Sequence, residues 1–258
     1  MSSHQDLHAD RARAESFGAG AEAYERARPG YPDALIEDLL AENPTDALDV
    51  GCGTGKAARP LVERGVDVLG IEPDERMAEI ARGHGITVEI GTFEDWDPQG
   101  RRFDLIVSGQ AWHWVDPVRG PEKALEILRP GGRLATFWNV AQLPEDVRGE
   151  LDAVYERLAP EIDPYSVVRG CGRIPEPNGP IKVTLEGFAT TDTRRYEWEE
   201  PYARDAWLEL IFTHSDHSRL DEPVRAPLVA AVGEVIDAHG GTVTATYRTY
   251  AVIARAPQ

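Results

Sequence analysis

Cysteine occurs only as Cys52 and Cys171. Two are too few for a disulfide framework or a cysteine-rich metal site, so a reducing cytoplasm is the expected compartment. Lysine is nearly missing as well: Lys56, Lys123 and Lys182 are the three in 258 residues, and Arg carries the rest of the basic charge. With abundant Ala, Gly, Asp and Glu, this resembles the coding bias of GC-rich bacteria, an expectation about source that says nothing of function. Positive charge as a whole is short, 27 basic against 45 acidic side chains, for a net −18. A nucleic-acid groove needs dense Lys and Arg, and an anionic membrane surface attracts the same residues, so neither partner is expected. Long apolar runs are absent too. Nothing approaches the roughly 18 apolar residues of a membrane span, and Met1 to Arg13 is polar, unlike a signal peptide. What remains is ample for a core: 41% of residues are hydrophobic, too many for a disordered chain. The length suits one large domain or a domain with a modest cap, as a monomer or homodimer.

Along the chain, strand and helix signals alternate. Arg28-Pro29-Gly30-Tyr31-Pro32 is a turn signal, after which Asp33 is placed to cap a helix carrying Leu35, Ile36, Leu39 and Leu40. Strands are predicted at Ala47–Val50, Val66–Ile71, Ile86–Ile90, Phe103–Val107 and Leu134–Val140. Helices are predicted after Gly55, from Glu72-Pro73-Asp74, and over Pro121–Leu128, the last ended by Arg129-Pro130-Gly131-Gly132. Beyond residue 140, Pro144–Leu158, Tyr202–Phe212 and Pro223–His239 read as helices. Residues 159–180 read as loop and 181–199 as short strands. Thr242–Arg255 reads as a late strand that could close the sheet edge. Strands alternating with helices imply an α/β fold, a Rossmann-like, doubly wound, mostly parallel sheet with helices on both faces. The expected organisation is a covering segment over 1–32, a core over 33–140, a cap over 141–215, and a C-terminal helix and strand over 216–258 that complete the core.

Three features address the ligand. Gly51, Gly53 and Gly55 lie where a strand turns into a helix, a place where amide groups are free to meet a ligand. The spacing is not the G-x-G-x-x-G of a dinucleotide loop, since position 56 is Lys. It is not a P-loop either, since Val50 and Ala57 break that pattern. Glu72 ends the second strand, 21 residues after Gly51, where a carboxylate can accept from both hydroxyls of a ribose. Asp49 stands directly before the glycines. A pyrophosphate would be repelled there, whereas the sulfonium and ammonium of S-adenosylmethionine (SAM) would be favoured.

With these residues in view, the chain resembles the class I SAM-dependent methyltransferases. The likeness is to the broad small-molecule group (methyltransferase type 11-like) that includes the trans-aconitate and ubiquinone-pathway enzymes. Leu48–Gly55 resembles that family's first motif and Gly70-Ile71-Glu72-Pro73 its second. Ser108–Trp114 resembles its post-strand-four motif, Leu128–Gly132 the turn before strand five, and Phe17–Pro32 its N-terminal covering segment. The resemblance implies methyl transfer from SAM to an O, N, C or S atom of a small molecule, with S-adenosylhomocysteine (SAH) as product. It implies cofactor contacts at Asp49, Gly51, Cys52, Gly53, Gly55, Glu72, Pro73, Met77, Thr92, Phe93, Glu94, Gln110, Tyr24 and Arg28. Relatives carry an acidic residue and Ala where this chain has Thr92-Phe93, so the adenine contact stays open among these residues, Glu94, Asp95 and backbone groups.

Acceptor contacts are expected from Phe17, Tyr31, Trp112, His113, Trp114 and His214, with no metal. Trp112-His113-Trp114 reads either as a substrate wall, with His113 as general base, or as aromatics packed under the cap. His214-Ser215-Asp216-His217 has too few ligands at supporting spacing for a metal and reads as a loop before a helix. Two other functions share these signals. An NAD(P)-dependent oxidoreductase of this fold would want glycine at 56, no Asp49 and a Tyr-x-x-x-Lys pair, none of which is present. A non-catalytic SAM-binding protein would differ only in its cap.

Overall fold

The computed structural model describes residues 20–162, 185–214 and 216–258; Phe17, Cys171, Lys182, Ser215 and most of the predicted 159–180 loop lie outside them. Helix α1 (Ala21–Ala27) and helix α2 (Asp33–Leu40) precede the first strand. Then come β1 (Asp46–Val50), α3 (Ala58–Val62), β2 (Asp67–Glu72), α4 (Glu75–Gly83), β3 (Thr87–Ile90), β4 (Phe103–Gly109) and a 3₁₀ turn at Trp112–Trp114. After these follow α5 (Arg119–Ile127), β5 (Leu128–Gln142), α6 (Glu145–Leu158), β6 (Thr190–Ala203), α7 (Arg204–Phe212), α8 (Glu222–Ala238) and β7 (Thr242–Arg255).

One seven-stranded sheet runs β3-β2-β1-β4-β5-β7-β6. The first five strands are parallel, and β7 is antiparallel to both its neighbours. The central strands are apolar on both faces because both faces are covered. On one side Leu35, Ile36 and Leu39 of α2, Leu61 of α3 and Ala78 and Ala81 of α4 pack on Leu105, Val107 and Phe137. On the other, Ala124 and Ile127 of α5 pack on Leu48, Val50, Ile106 and Leu134. A third cluster joins Leu151 and Tyr155 of α6, Trp207 and Ile211 of α7, and Val232 and Ile236 of α8 to Val243 and Ala245 at the start of β7. No helix among the described residues is long and apolar enough to cross a membrane.

Several expectations are corrected. Asp33 does not cap α2; Pro32 holds that position, and Asp33 is the first helical residue, paired with Arg64 at 2.9 Å. The expected start of α4 at Glu72-Pro73-Asp74 narrows to Asp74, its carboxylate accepting from the amides of Arg76 at 2.9 Å and Met77 at 3.4 Å, an N-cap that satisfies two orphan donors. The Arg129–Gly132 stretch belongs to β5. Tyr202 lies in a strand that runs to Ala203, and the helix expected from Tyr202 begins at Arg204. The short strands expected before residue 200 are one long strand, β6, lying within the span assigned to the cap. β6 is also the sheet edge, because β7 inserts between it and β5.

Candidate active site

In this sheet β1 has β2 on one side and β4 on the other, so the connections leave its carboxyl end in opposite directions. Open α/β sheets bind ligands at that switch point. Here a cavity of about 330 Å³ opens there, within the range of small-molecule sites.

Its floor is the glycine loop. The amides of Gly51 and Cys52 both donate to the Ile71 carbonyl, at 2.9 and 3.1 Å, which folds the end of β1 back over β2. Gly51 has φ +66°, and a Cβ there would stand 2.6 Å from the Ala111 methyl. Only glycine lets the β1 and β4 loops approach this closely.

Glu72 reaches under this loop. One oxygen accepts from the Gly53 amide at 2.9 Å, the other from the Asp74 amide at 3.0 Å. Burial nevertheless pushes its pKa up to about 7, against the pull of those two amides. Asp49 is fully buried, and neither carboxyl oxygen finds a hydrogen-bond partner at standard geometry among the described residues. Its pKa is pushed up to about 7 as well, first by burial and then by the neighbouring Glu72, with the Ala58 amide offsetting only part. Two like-charged carboxyls deprived of water favour a positively charged occupant.

The N-terminal segment roofs the cavity. Glu25 of α1 gathers Lys56 (3.3 Å), Arg59 (3.2 Å) and His84 (3.1 Å), while Lys56 also donates to the Glu25 carbonyl at 2.7 Å. Arg26 pairs with Glu209 of α7 at 2.7 Å. Asn139 of β5 donates to the Gly30 carbonyl at 2.8 Å. Tyr31 then lies edge-on to Phe137, centroids 4.6 Å apart, with its hydroxyl end in the space a side chain at Gly109 would fill. Arg28 lies 5.2 Å from the Tyr24 ring centroid, and its guanidinium donates to Thr213, at 2.8 Å to the hydroxyl and 3.2 Å to the carbonyl. This half-buried cation has no carboxylate partner among the described residues.

Of the residues expected at the site, Tyr24, Arg28, Tyr31, Gly51, Gly53, Glu72, Pro73, Met77, Thr92, Phe93, Glu94, Gln110, His113, Trp114 and His214 line the cavity. Four others do not. Asp49 lies beneath the wall, fully buried. Cys52 packs into the space above Gly70, and Gly55 faces Ile86, whose methyl would be 2.3 Å from any Cβ there. Trp112 is a core residue, 5% exposed, packed on Phe93. Phe17 lies outside the described residues.

His113 is held from behind. Its Nδ1 accepts from the Trp138 indole N–H at 3.2 Å. Indole can only donate, so the neutral ring carries its proton on Nε2 and serves better as a hydrogen-bond donor than as a base. His214 is held neutral: burial first, then the nearby Arg28 cation, lower its pKa well below the usual value. His217 faces away from the cavity, its ring tied to Asp216 and to Tyr155 of α6, each at 2.8 Å. Among the described residues no group of three or more His, Cys, Asp or Glu side chains gathers as a metal site.

Lys56, Asn139, Ala141, Trp207, Leu210 and Tyr247 line the cavity without having been expected there. Asn139 carried a signal, a polar residue inside the apolar run of β5. Trp207 and Tyr247 carried none, since they look like ordinary core positions of α7 and β7.

Comparison with known proteins agrees with this arrangement. Residues 47–132 match the family model described as a methyltransferase domain. An uncharacterized methyltransferase of Mycobacterium tuberculosis is 32% identical over 226 residues, covering 87% of this chain and 86% of that one. The trans-aconitate 2-methyltransferase of Mycolicibacterium gilvum is 33% identical over 140 residues, 53% of this chain and 50% of the other. Among solved structures, one described as a type II methyltransferase from Anaeromyxobacter dehalogenans superposes with TM-score 0.61 at 24% identity, over 90% of this chain and 99% of that one. A near full-length relative, the motif-bearing core and the sheet order together place this chain in the family of class I SAM-dependent methyltransferases.

Proposed function

We propose that this chain moves a methyl group from SAM to an O, N, C or S atom of a small molecule by in-line displacement. The carrying observation is the buried Asp49–Glu72 pair under a glycine cradle that a single Cβ would fill. SAM supplies an electrophilic methyl on a sulfonium. The protein's part is to bind, to align and to exclude water.

In this reading Glu72 accepts from the ribose hydroxyls, and Pro73, Met77, Thr92, Phe93 and Glu94 receive the adenine. Gly51 and Gly53 let the backbone approach the cofactor, with Gln110 beside them. The Asp49 charge favours its cationic end, while Arg28, backed by Tyr24, takes its carboxylate. Tyr31, Trp114, His113 and His214, with Trp207 and Tyr247, form the acceptor end, where His113 donates from Nε2. Residues 1–32, described from Gly20 onward, act as the cofactor cover. From the region 141–215, read as the cap, Ala141, Trp207, Leu210 and His214 line the acceptor end. A cavity of this size beneath a fastened roof, in a chain of net −18, favours a small molecule over a nucleic acid, with the cytoplasm as its compartment. The relative named for trans-aconitate supports the same substrate class.

Calorimetry with SAM, SAH and NADPH tests the reading. SAM and SAH are expected to bind, and Glu72→Ala to weaken them by about 1–3 kcal/mol, the scale of hydrogen bonds to a charged group. Binding of NADPH without SAH would refute it and favour the oxidoreductase alternative.

A further inference from the structure

The turn at 92–96 forms one wall of the cavity, and its shape is imposed from behind. The amides of Asp95 and Trp96 donate to the Thr92 carbonyl at 3.2 and 3.0 Å, closing one helical turn. Lys123 of α5 reaches beneath it. Its ammonium donates to the Glu94 carbonyl at 3.1 Å and to the Trp96 carbonyl. It also sits 5.7 Å from the ring centroids of both Phe93 and Trp96. Arg119, one turn earlier on the same helix, adds a bond to the Glu94 carbonyl at 3.2 Å and pairs with Asp95 at 2.9 Å. The Asp116 amide holds the Glu94 carboxylate at 2.6 Å.

Lysine is a telling choice in a chain that uses Arg almost everywhere else. An ammonium is a compact charge with three rotatable donors, suited to two converging carbonyls between two aromatic rings. A planar guanidinium fork does not fit that arrangement. Lys123 does not line the cavity, so its effect on a ligand passes through the turn.

We propose that Lys123 is the positioning residue for base recognition: it fixes the 92–96 turn so that Thr92, Phe93 and Glu94 meet the adenine edge in one arrangement. The proposal rests on reading this cavity as a SAM site. Without the ammonium, the Phe93 ring still offers an apolar surface to any purine. The Trp96 carbonyl loses its side-chain anchor and the Glu94 carbonyl keeps only Arg119, so the polar reading of the base edge loosens. Discrimination therefore falls more than affinity.

The test compares SAH with S-inosylhomocysteine, which replaces the exocyclic amine of the base by a carbonyl. Affinities are measured by calorimetry for the wild type, Lys123→Met and Lys123→Arg. The wild type prefers SAH. In Lys123→Met the preference falls about tenfold or more, the scale of one lost polar contact, while affinity for S-inosylhomocysteine holds. Lys123→Arg keeps the charge but not the shape, and loses discrimination in part; it carries the test if Lys123→Met fails to fold. An unchanged ratio, an equal weakening toward both ligands, or a wild type that does not discriminate overturns the proposal while leaving the cofactor reading intact. A wild type that binds neither ligand overturns the cofactor reading itself.

Discussion

At the scale of single residues, Asp49 and Glu72 make the ligand-free protein sensitive to pH. Their folded values near 7 stand above the ordinary 3.8 and 4.5. The folded chain therefore holds protons that the unfolded chain has released. Stability from this source is greatest below the ordinary carboxylate range and is lost as pH climbs from there through about 7. Asp49→Asn removes the buried charge and should flatten the decline of the unfolding midpoint between about pH 5 and pH 8. Thermal scans at stepped pH check this, and a slope as steep as the wild type's would refute it. The same pair was legible in the sequence as chemistry, because Asp49 precedes the glycines and Glu72 closes β2. That Asp49 sits beneath the wall was not legible, nor that Gly55 and Trp112 face the core. A motif fixes which residues occur together. Which way each side chain points depends on Ile86 or Phe93, brought in from elsewhere in the chain.

At the scale of elements, α1 is a short helix with no apolar stripe of its own. It is fastened from both sides: Glu25 to Lys56, Arg59 and His84 around the glycine loop, and Arg26 and Arg28 to α7. Seven residues do not hold a helix by themselves, so these bonds decide whether the roof is closed. Glu25→Ala cuts three of them at once. Dissociation of SAH, followed by stopped-flow fluorescence, should then quicken several-fold while the unfolding midpoint moves little; an unaltered rate would mean that the roof does not retain the cofactor. The strands β1 to β5 were legible because each is an apolar run bounded by Gly or Pro. β6 was not. It lies at the sheet edge, most of its residues exposed and six of its fourteen charged, as edge strands are when they must avoid pairing with other chains. The insertion of β7 between β5 and β6 was equally hidden, since long-range antiparallel register leaves no local mark.

For the molecule as a whole, the net charge of −18 surrounds a cavity whose proposed cofactor carries net +1. A field of this sign speeds the approach of a cation, and salt screens it. The association rate of SAM should fall as ionic strength rises, while that of SAH, which lacks the sulfonium, should change little. Rapid-mixing measurements over a salt series decide this, and parallel behaviour of the two ligands would count against steering. Charge thus bears on how fast a small molecule arrives, and the fold on where it stops.

One chain of hydrogen bonds crosses the sheet from its outer edge to the roof. The Trp198 indole donates to Thr249 at 2.9 Å, Thr249 to the Asn139 side-chain oxygen at 2.7 Å, and Asn139 to Gly30 at 2.8 Å. Trp198 is also stacked on Tyr247, centroids 4.5 Å apart, and Tyr247 lines the cavity. An indole placed there is a natural optical probe: the emission difference between wild type and Trp198→Phe is expected to change when SAH is added, and a difference that stays constant would show that the indole is blind to the cavity.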